Sequence, residues 1–299
     1  MGILKASRAN FTPASIIPFL IGAACARQHG FRVPGINVFL GLSAVVSAHL
    51  CGNLLNDYFD YKSGSDNINK NRSPFFGGSG LIQNGTYKPA QILHLALAFL
   101  LICFLCALGI FLITKNIAFL YICLLAGILT VEYTAPPLRL SYNRLGELDI
   151  FFLFGVLLVM GSFYLFSGKL TLDSFLISLP IAFLVLAIII CNEVPDFLCD
   201  FKTKKYNLLS VVGREKGFIL YGAAIFLSFV SIVINIARGS LPPISAGIIF
   251  FYFIGIKAAY ILKSELSDIK SLTQASKMTI MLHALAGVSM IFLILKKQP

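Results

Sequence analysis

Charge is what this sequence has least of. Only 12% of its 299 residues are charged, about half the share of an ordinary soluble domain, and just 13 are Asp or Glu. Beside 58% hydrophobic residues and a mean hydropathy of +0.86, that shortage excludes a soluble globular domain. GxSxG, HExxH, Walker and Rossmann patterns are missing as well, so serine-triad, zinc-hydrolase and nucleotide-cradle chemistry have no support. The seven cysteines form no disulfide framework. Cys103 and Cys106 make a CxxC inside an apolar run with no neighbouring His, which reads as packing rather than a metal or redox site.

What is present is long apolar runs. Nine stretches approach the ~20 residues that cross a bilayer: 11–28, 36–58, 90–113, 117–135, 148–167, 174–193, 217–237, 243–262 and 278–295. The expected fold is all-α: a polytopic membrane protein with nine transmembrane helices in one bundle, because the bilayer core tolerates no unpaired backbone. Residues 1–299 are read as a single domain. The N-terminal run, with basic residues before Ala24-Cys25-Ala26, mimics a signal peptide, but its prolines and eight following runs favour a first membrane helix.

The net charge of +11 would suit nucleic acid if it were clustered on a soluble face. With nine spans it falls mostly on one side of the membrane. Sixteen Lys and Arg lie there, from Lys5 and Arg8 to Lys277, against seven on the other. This bias marks the first side as cytoplasmic, in a cell (inner) membrane, with the N-terminus inside and the C-terminus outside. Membrane lipids, not nucleic acid, are the expected surroundings. Lys296-Lys297-Gln298-Pro299 resembles a dilysine retrieval signal, but on the outer side it reads as an ordinary basic end.

The scarce carboxylates are grouped. Asn53, Asn56, Asp57 and Asp60 fall at offsets 0, 3, 4 and 7, one face of a helix, and a Ser-Gly-Ser turn can fold Asp66 back towards them. The sixth run ends in a second group, Asn192, Glu193, Asp196 and Asp200, in which Asn192, Asp196 and Asp200 form one stripe if the helix passes Pro195. A solvated helix end is the bland explanation of either group. Both share the order Asn, Asp, Asp, then Lys or Arg, and both close an even-numbered run on the same side, which chance explains poorly. Carboxylates gathered at a membrane edge call for a cation. Mg2+, held by a few carboxylates plus phosphate oxygens, is expected on Asn56, Asp57, Asp60, Asp66, Asn192, Asp196 and Asp200. Lys70 and Arg72, followed by Gly77-Gly78-Ser79-Gly80, offer charge and free backbone N–H groups to a phosphate. After Pro136-Pro137, a segment with Arg139, Tyr142 and Glu147 returns to the same membrane edge.

Two opposed Mg2+ clusters flanked by cations suit a diphosphate. A Phe-rich bundle, with 27 in the chain, suits an isoprenoid tail. The chain resembles the UbiA superfamily of intramembrane prenyltransferases over its full length. Asn56 and Asp60, with Asp57, match that family's first Asp-rich motif, and Asp196 and Asp200 its second. The resemblance implies nine helices around a central cavity, Mg2+-dependent loss of diphosphate from a polyprenyl diphosphate, and catalytic roles for Asn56, Asp60, Asp196, Asp200 and Tyr142. The spacing to Asp66, the 77–85 run and the segment from Tyr133 to Glu147 are most similar to the MenA-type branch, which prenylates 1,4-dihydroxy-2-naphthoate for menaquinone synthesis. That branch has an Arg where Pro195 stands, so Arg72, Arg139 or Lys204 is expected to replace it at the diphosphate, with Lys70 beside them. Other aromatic or lipid acceptors (4-hydroxybenzoate, homogentisate, a glycerophosphate lipid) are the alternatives. A transporter or a non-catalytic isoprenoid-binding protein is the alternative of another class.

Overall fold

The structure is a computed structural model that describes residues 7–297. Lys5 and the Gln298-Pro299 end of the dilysine-like tail lie outside the described residues. Among those residues there is no β-strand, and the chain is a bundle of helices. In order these are α1 (Pro13–Gln28), α2 (Gly35–Ser63), α3 (Pro89–Thr114), α4 (Ile117–Glu132), α5 (Gly146–Ser167), α6 (Leu172–Lys202), α7 (Gly217–Ala237), α8 (Pro243–Ser264) and α9 (Ile269–Lys296).

Eight of these, with α1 counted from Ala9 (20 residues) and α7 from Arg214 (24 residues), are long and apolar enough to cross a membrane. The exception is α4, whose 16 residues reach only about 24 Å at 1.5 Å per residue, short of the ~30 Å hydrocarbon core. Among the described residues the nine expected apolar stretches are all helical, eight of them of spanning length and one shorter. The protein is an integral membrane protein of the polytopic all-α class.

The two helices that end in acidic groups run past their apolar stretches. α2 continues to Ser63 and stops at Gly64, whose φ of +85° suits a glycine C-cap. α6 passes through both Pro180 and Pro195. A proline inside a helix leaves the carbonyl four residues earlier without its donor, and for Pro180 that carbonyl is Leu176. Asn235 of α7 supplies the missing donor, Nδ2 to Leu176 O at 2.8 Å. Helix starts are capped where the sequence allows: Asn116 accepts from Phe119 N, and Asp268 from Lys270 N and Ser271 N. The Asp268 cap starts α9 nine residues before the expected apolar run.

Packing places α6 centrally. It lies against α5, α7 and α9, while α2 packs on α3, and α1 joins α5 to α9. The largest apolar core runs along α1, α6, α7 and α9. α3 keeps much of its surface outward, with Leu97, Leu101, Phe104 and Leu112 exposed, as a lipid-facing helix would. Cys103 and Cys106 are free and half-buried within it.

Candidate active site

The ends of α2 and α6 meet across a cavity that opens to the surface. Of the residues expected to hold a cation, Asn56, Asp60 and Asp66 line it from one side and Asn192, Asp196 and Asp200 from the other. The stripe on α6 exists because the helix is unbroken through Pro195. Asp66 returns to the wall through the left-handed Gly64 and a helical turn over Ser65–Ile68.

Short polar contacts knit the two motifs together. Lys205 Nζ donates to Asp60 Oδ2 at 2.8 Å and lies 3.8 Å from Asp200 Oδ1. Ser65 Oγ donates to Asp200 Oδ1 (2.7 Å) and Asn69 Nδ2 to Asp196 Oδ1 (2.8 Å). Asn56 Nδ2 donates to Asp60 Oδ2 at 3.0 Å. Behind Asp60, the Tyr142 hydroxyl donates to Asp60 Oδ1 at 2.6 Å. Tyr142 and Lys205 are brought side by side by backbone pairing of their loops: Tyr206 N donates to Tyr142 O and Arg144 N to Tyr206 O.

The balance of charge is negative. Burial, then the neighbouring Asp60 and Asp57 carboxylates, push Asp66 up to about 8 against the pull of Arg8 and Lys205. Burial opposes a charged Lys205, but Asp200 and Asp60 outweigh it and hold the ammonium well above the ordinary lysine range. Burial and the Asp60 carboxylate push the Tyr142 phenol up, so it stays a hydrogen-bond donor. The buried Asn192 Oδ1 and Glu193 Oε2 have no partner. Among the described residues no three carboxylate, His or Cys side chains converge as a ready-made metal shell. That donor set fits Mg2+, which takes one or two carboxylates and completes its shell with water and phosphate oxygens rather than an all-protein cage.

Several predicted residues are elsewhere. Asp57 does not line the cavity. It is buried against Arg8 Nη2 at 2.8 Å and accepts from Ser79 N, which makes it a clamp on the 77–80 loop. The four cations expected at the diphosphate are also outside the cavity wall. Lys70 and Lys204 are exposed. Arg72 is spent within its own loop, donating to Gly77 O and Asp66 O, and Arg139 stacks 4.0 Å from the Tyr142 ring centre. The cations that do line the wall are Arg8 and Lys205. Lys204 has φ +60°, and this tight turn after α6 leaves Lys204 outside while Lys205 reaches in.

The glycine loop also differs from expectation. Its N–H groups are turned to carboxylates, Gly77 N to Asp196 Oδ2 at 3.0 Å and Ser79 N to Asp57. Gly78 has φ +69°, and a Cβ there would lie 2.1 Å from Asp66 Oδ2. Only glycine lets this backbone pass so close to Asp66.

Fold and site together define an all-α membrane protein whose cavity opposes two Asp pairs across a lysine. Residues 15–285 match the model of the UbiA prenyltransferase family. The chain belongs to that family and is a prenyltransferase. It is 31% identical over 241 residues to the 1,4-dihydroxy-2-naphthoate octaprenyltransferase of Bacillus subtilis, covering 79% of this chain and 74% of that one. UbiA prenyltransferase domain-containing protein 1 of Dictyostelium discoideum is 27% identical, over 77% of this chain and 69% of its own. In fold the chain is similar to the apo UbiA homologue of Aeropyrum pernix K1 (TM-score 0.74, 15% identity, 95% and 98% covered). It is also similar to the Archaeoglobus fulgidus homologue bound to DMAPP and Mg2+ (TM-score 0.64, 17% identity, 98% and 99% covered).

Proposed function

We propose that the chain, acting as one domain, transfers a polyprenyl group from an allylic diphosphate to 1,4-dihydroxy-2-naphthoate, in the cell membrane and with its acidic loops on the cytoplasmic side. The observation that carries this reading is the opposition of Asp60 and Asp66 to Asp196 and Asp200, with Lys205 between them. The likeness to the Bacillus enzyme supports the acceptor, and the positive-inside bias supports the orientation.

Mg2+ held by Asn56, Asp60, Asp66, Asn192, Asp196 and Asp200 would neutralise charge on the departing diphosphate. The protein's own part begins with Lys205, whose ammonium exchanges Asp60 for a diphosphate oxygen. Arg8 adds a second charge at the same rim. Such pre-aimed donors favour the transition state because charge grows on the leaving group as the C–O bond breaks. Tyr142 holds Asp60 in place from behind. Phe11, Phe75 and Phe154 of the wall offer aromatic faces to the allylic cation.

The test uses purified membranes, Mg2+, a labelled polyprenyl diphosphate and a panel of dihydroxynaphthoate, 4-hydroxybenzoate, homogentisate and a glycerophosphate lipid. A labelled naphthoquinol that disappears with EDTA is expected. Product from a different acceptor alone would overturn the naphthoate reading.

A further inference from the structure

A second, apolar pocket adjoins the acidic cavity. Four residues belong to both walls: His49, Thr130, Leu153 and Phe154. An allylic diphosphate has a polar head and an apolar tail, so its reacting carbon lies where polar wall gives way to apolar wall. Whichever reactant fills the apolar pocket, the new bond forms at this junction. His49 is the one titratable side chain among the four.

Its surroundings hold it for use. His49, Asn53, Asn56 and Asp60 recur at offsets 0, 4, 7 and 11 on α2, and all four line the cavity, so His49 is the innermost polar member of the stripe that carries Asp60. The ring is buried. Its Nδ1 is in hydrogen-bond contact with Ser15 Oγ of α1, and the Phe154 ring meets it edge-on at 5.2 Å. No carboxylate is needed to explain its position.

We infer that His49 is the base for the acceptor, resting on the proposal of a hydroxylated aromatic substrate. In this assignment Nδ1–H donates to Ser15 Oγ, and the other ring nitrogen, Nε2, is left as the acceptor. As the C1–O bond of the prenyl diphosphate breaks, its electron pair leaves with the diphosphate. A ring carbon of the acceptor supplies the pair for the new C–C bond, while the ring hydroxyl gives its proton to Nε2. The imidazolium returns that proton to the same oxygen when the ring regains aromaticity by losing CO2 (or, for an unsubstituted ring carbon, a proton to water). Ser15 is a positioning residue that fixes the ring and its tautomer.

The test compares wild type, His49→Gln and Ser15→Ala in membranes, with protein amount matched by immunoblot. The acceptor panel is run first on wild type. Absence of naphthoate product there would refute the acceptor assignment only, and the base is then tested with whichever aromatic acceptor reacts. His49→Gln should lower kcat about 100-fold, the low end for general base catalysis, and Ser15→Ala less. The discriminating readout is a fluorinated acceptor whose hydroxyl is already ionised, with which His49→Gln should recover most of the lost kcat relative to wild type. Equal loss with ordinary and ionised acceptors, or wild-type kcat in His49→Gln, would overturn the assignment.

Discussion

Replacing Lys205 by methionine tests the electrostatics of the cavity. Its ammonium lies 2.8 Å from Asp60 and 3.8 Å from Asp200, on a side chain only 13% exposed. With an effective dielectric of ~20, those separations correspond to gross attractions of about 6 and 4 kcal/mol. Desolvation of the ammonium and both carboxylates offsets most of this, and stripping one partner from such a buried group typically costs about 3–5 kcal/mol. In the metal-free protein Lys205→Met should therefore melt well below wild type. Mg2+ should restore much of the difference, because it neutralises the same two carboxylates. Turnover should fall about 100- to 1000-fold at saturating Mg2+, the usual effect of losing one donor to a developing anion. Lys205→Arg, which keeps the charge, should lose far less. The assays are thermal unfolding in detergent with EDTA or Mg2+, and pyrophosphate release from a polyprenyl diphosphate. An equal thermal deficit in both conditions, with wild-type turnover, would refute the reasoning.

Other substitutions separate the site from its surroundings. Gly78→Ala puts a Cβ 2.1 Å from Asp66 Oδ2 at a backbone φ of +69°; pyrophosphate release should drop at least ~10-fold, on top of the roughly 1–2 kcal/mol of left-handed strain. Lys204→Ala and Lys70→Ala remove exposed side chains and should leave kcat/KM within about twofold, since exposed charges contribute roughly 0–1 kcal/mol. Asn235→Ala strips the donor from the Leu176 carbonyl and should cost about 1–3 kcal/mol in thermal stability with kcat unaltered.

How far the sequence foretold this molecule follows from which interactions are local. Apolar runs mark membrane helices because the bilayer imposes length and composition on a continuous segment. The stripes of α2 and α6 were readable because i, i+4 spacing alone puts Asp60, Asp196 and Asp200 on helix faces. The choice between Lys204 and Lys205 was not readable. It depends on a left-handed residue at 204 and on pairing between the 142–144 and 206 backbones, some sixty residues apart. In the sequence Arg8 is one more positive-inside charge, since nothing in its own neighbourhood reveals Asp57, 49 residues away. Asp57 shares a helix face with Asp60 by spacing, yet one turns to Arg8 and the other to Lys205. The glycine run signalled flexible, approachable backbone correctly as a type, but what approaches it in the folded chain is Asp66, Asp57 and Asp196. Each miss is a tertiary partner, which no local pattern encodes.

The central claim is that opposed carboxylates on α2 and α6 act together on one metal-bound diphosphate. Its most direct measurement is a Mg2+ titration of labelled polyprenyl diphosphate binding to wild type, Asp60→Asn, Asp196→Asn and the double variant. The account predicts Mg2+-dependent binding that either single change largely removes, with the double little worse than each single. Mg2+-independent binding, or two single losses that simply add, would contradict it.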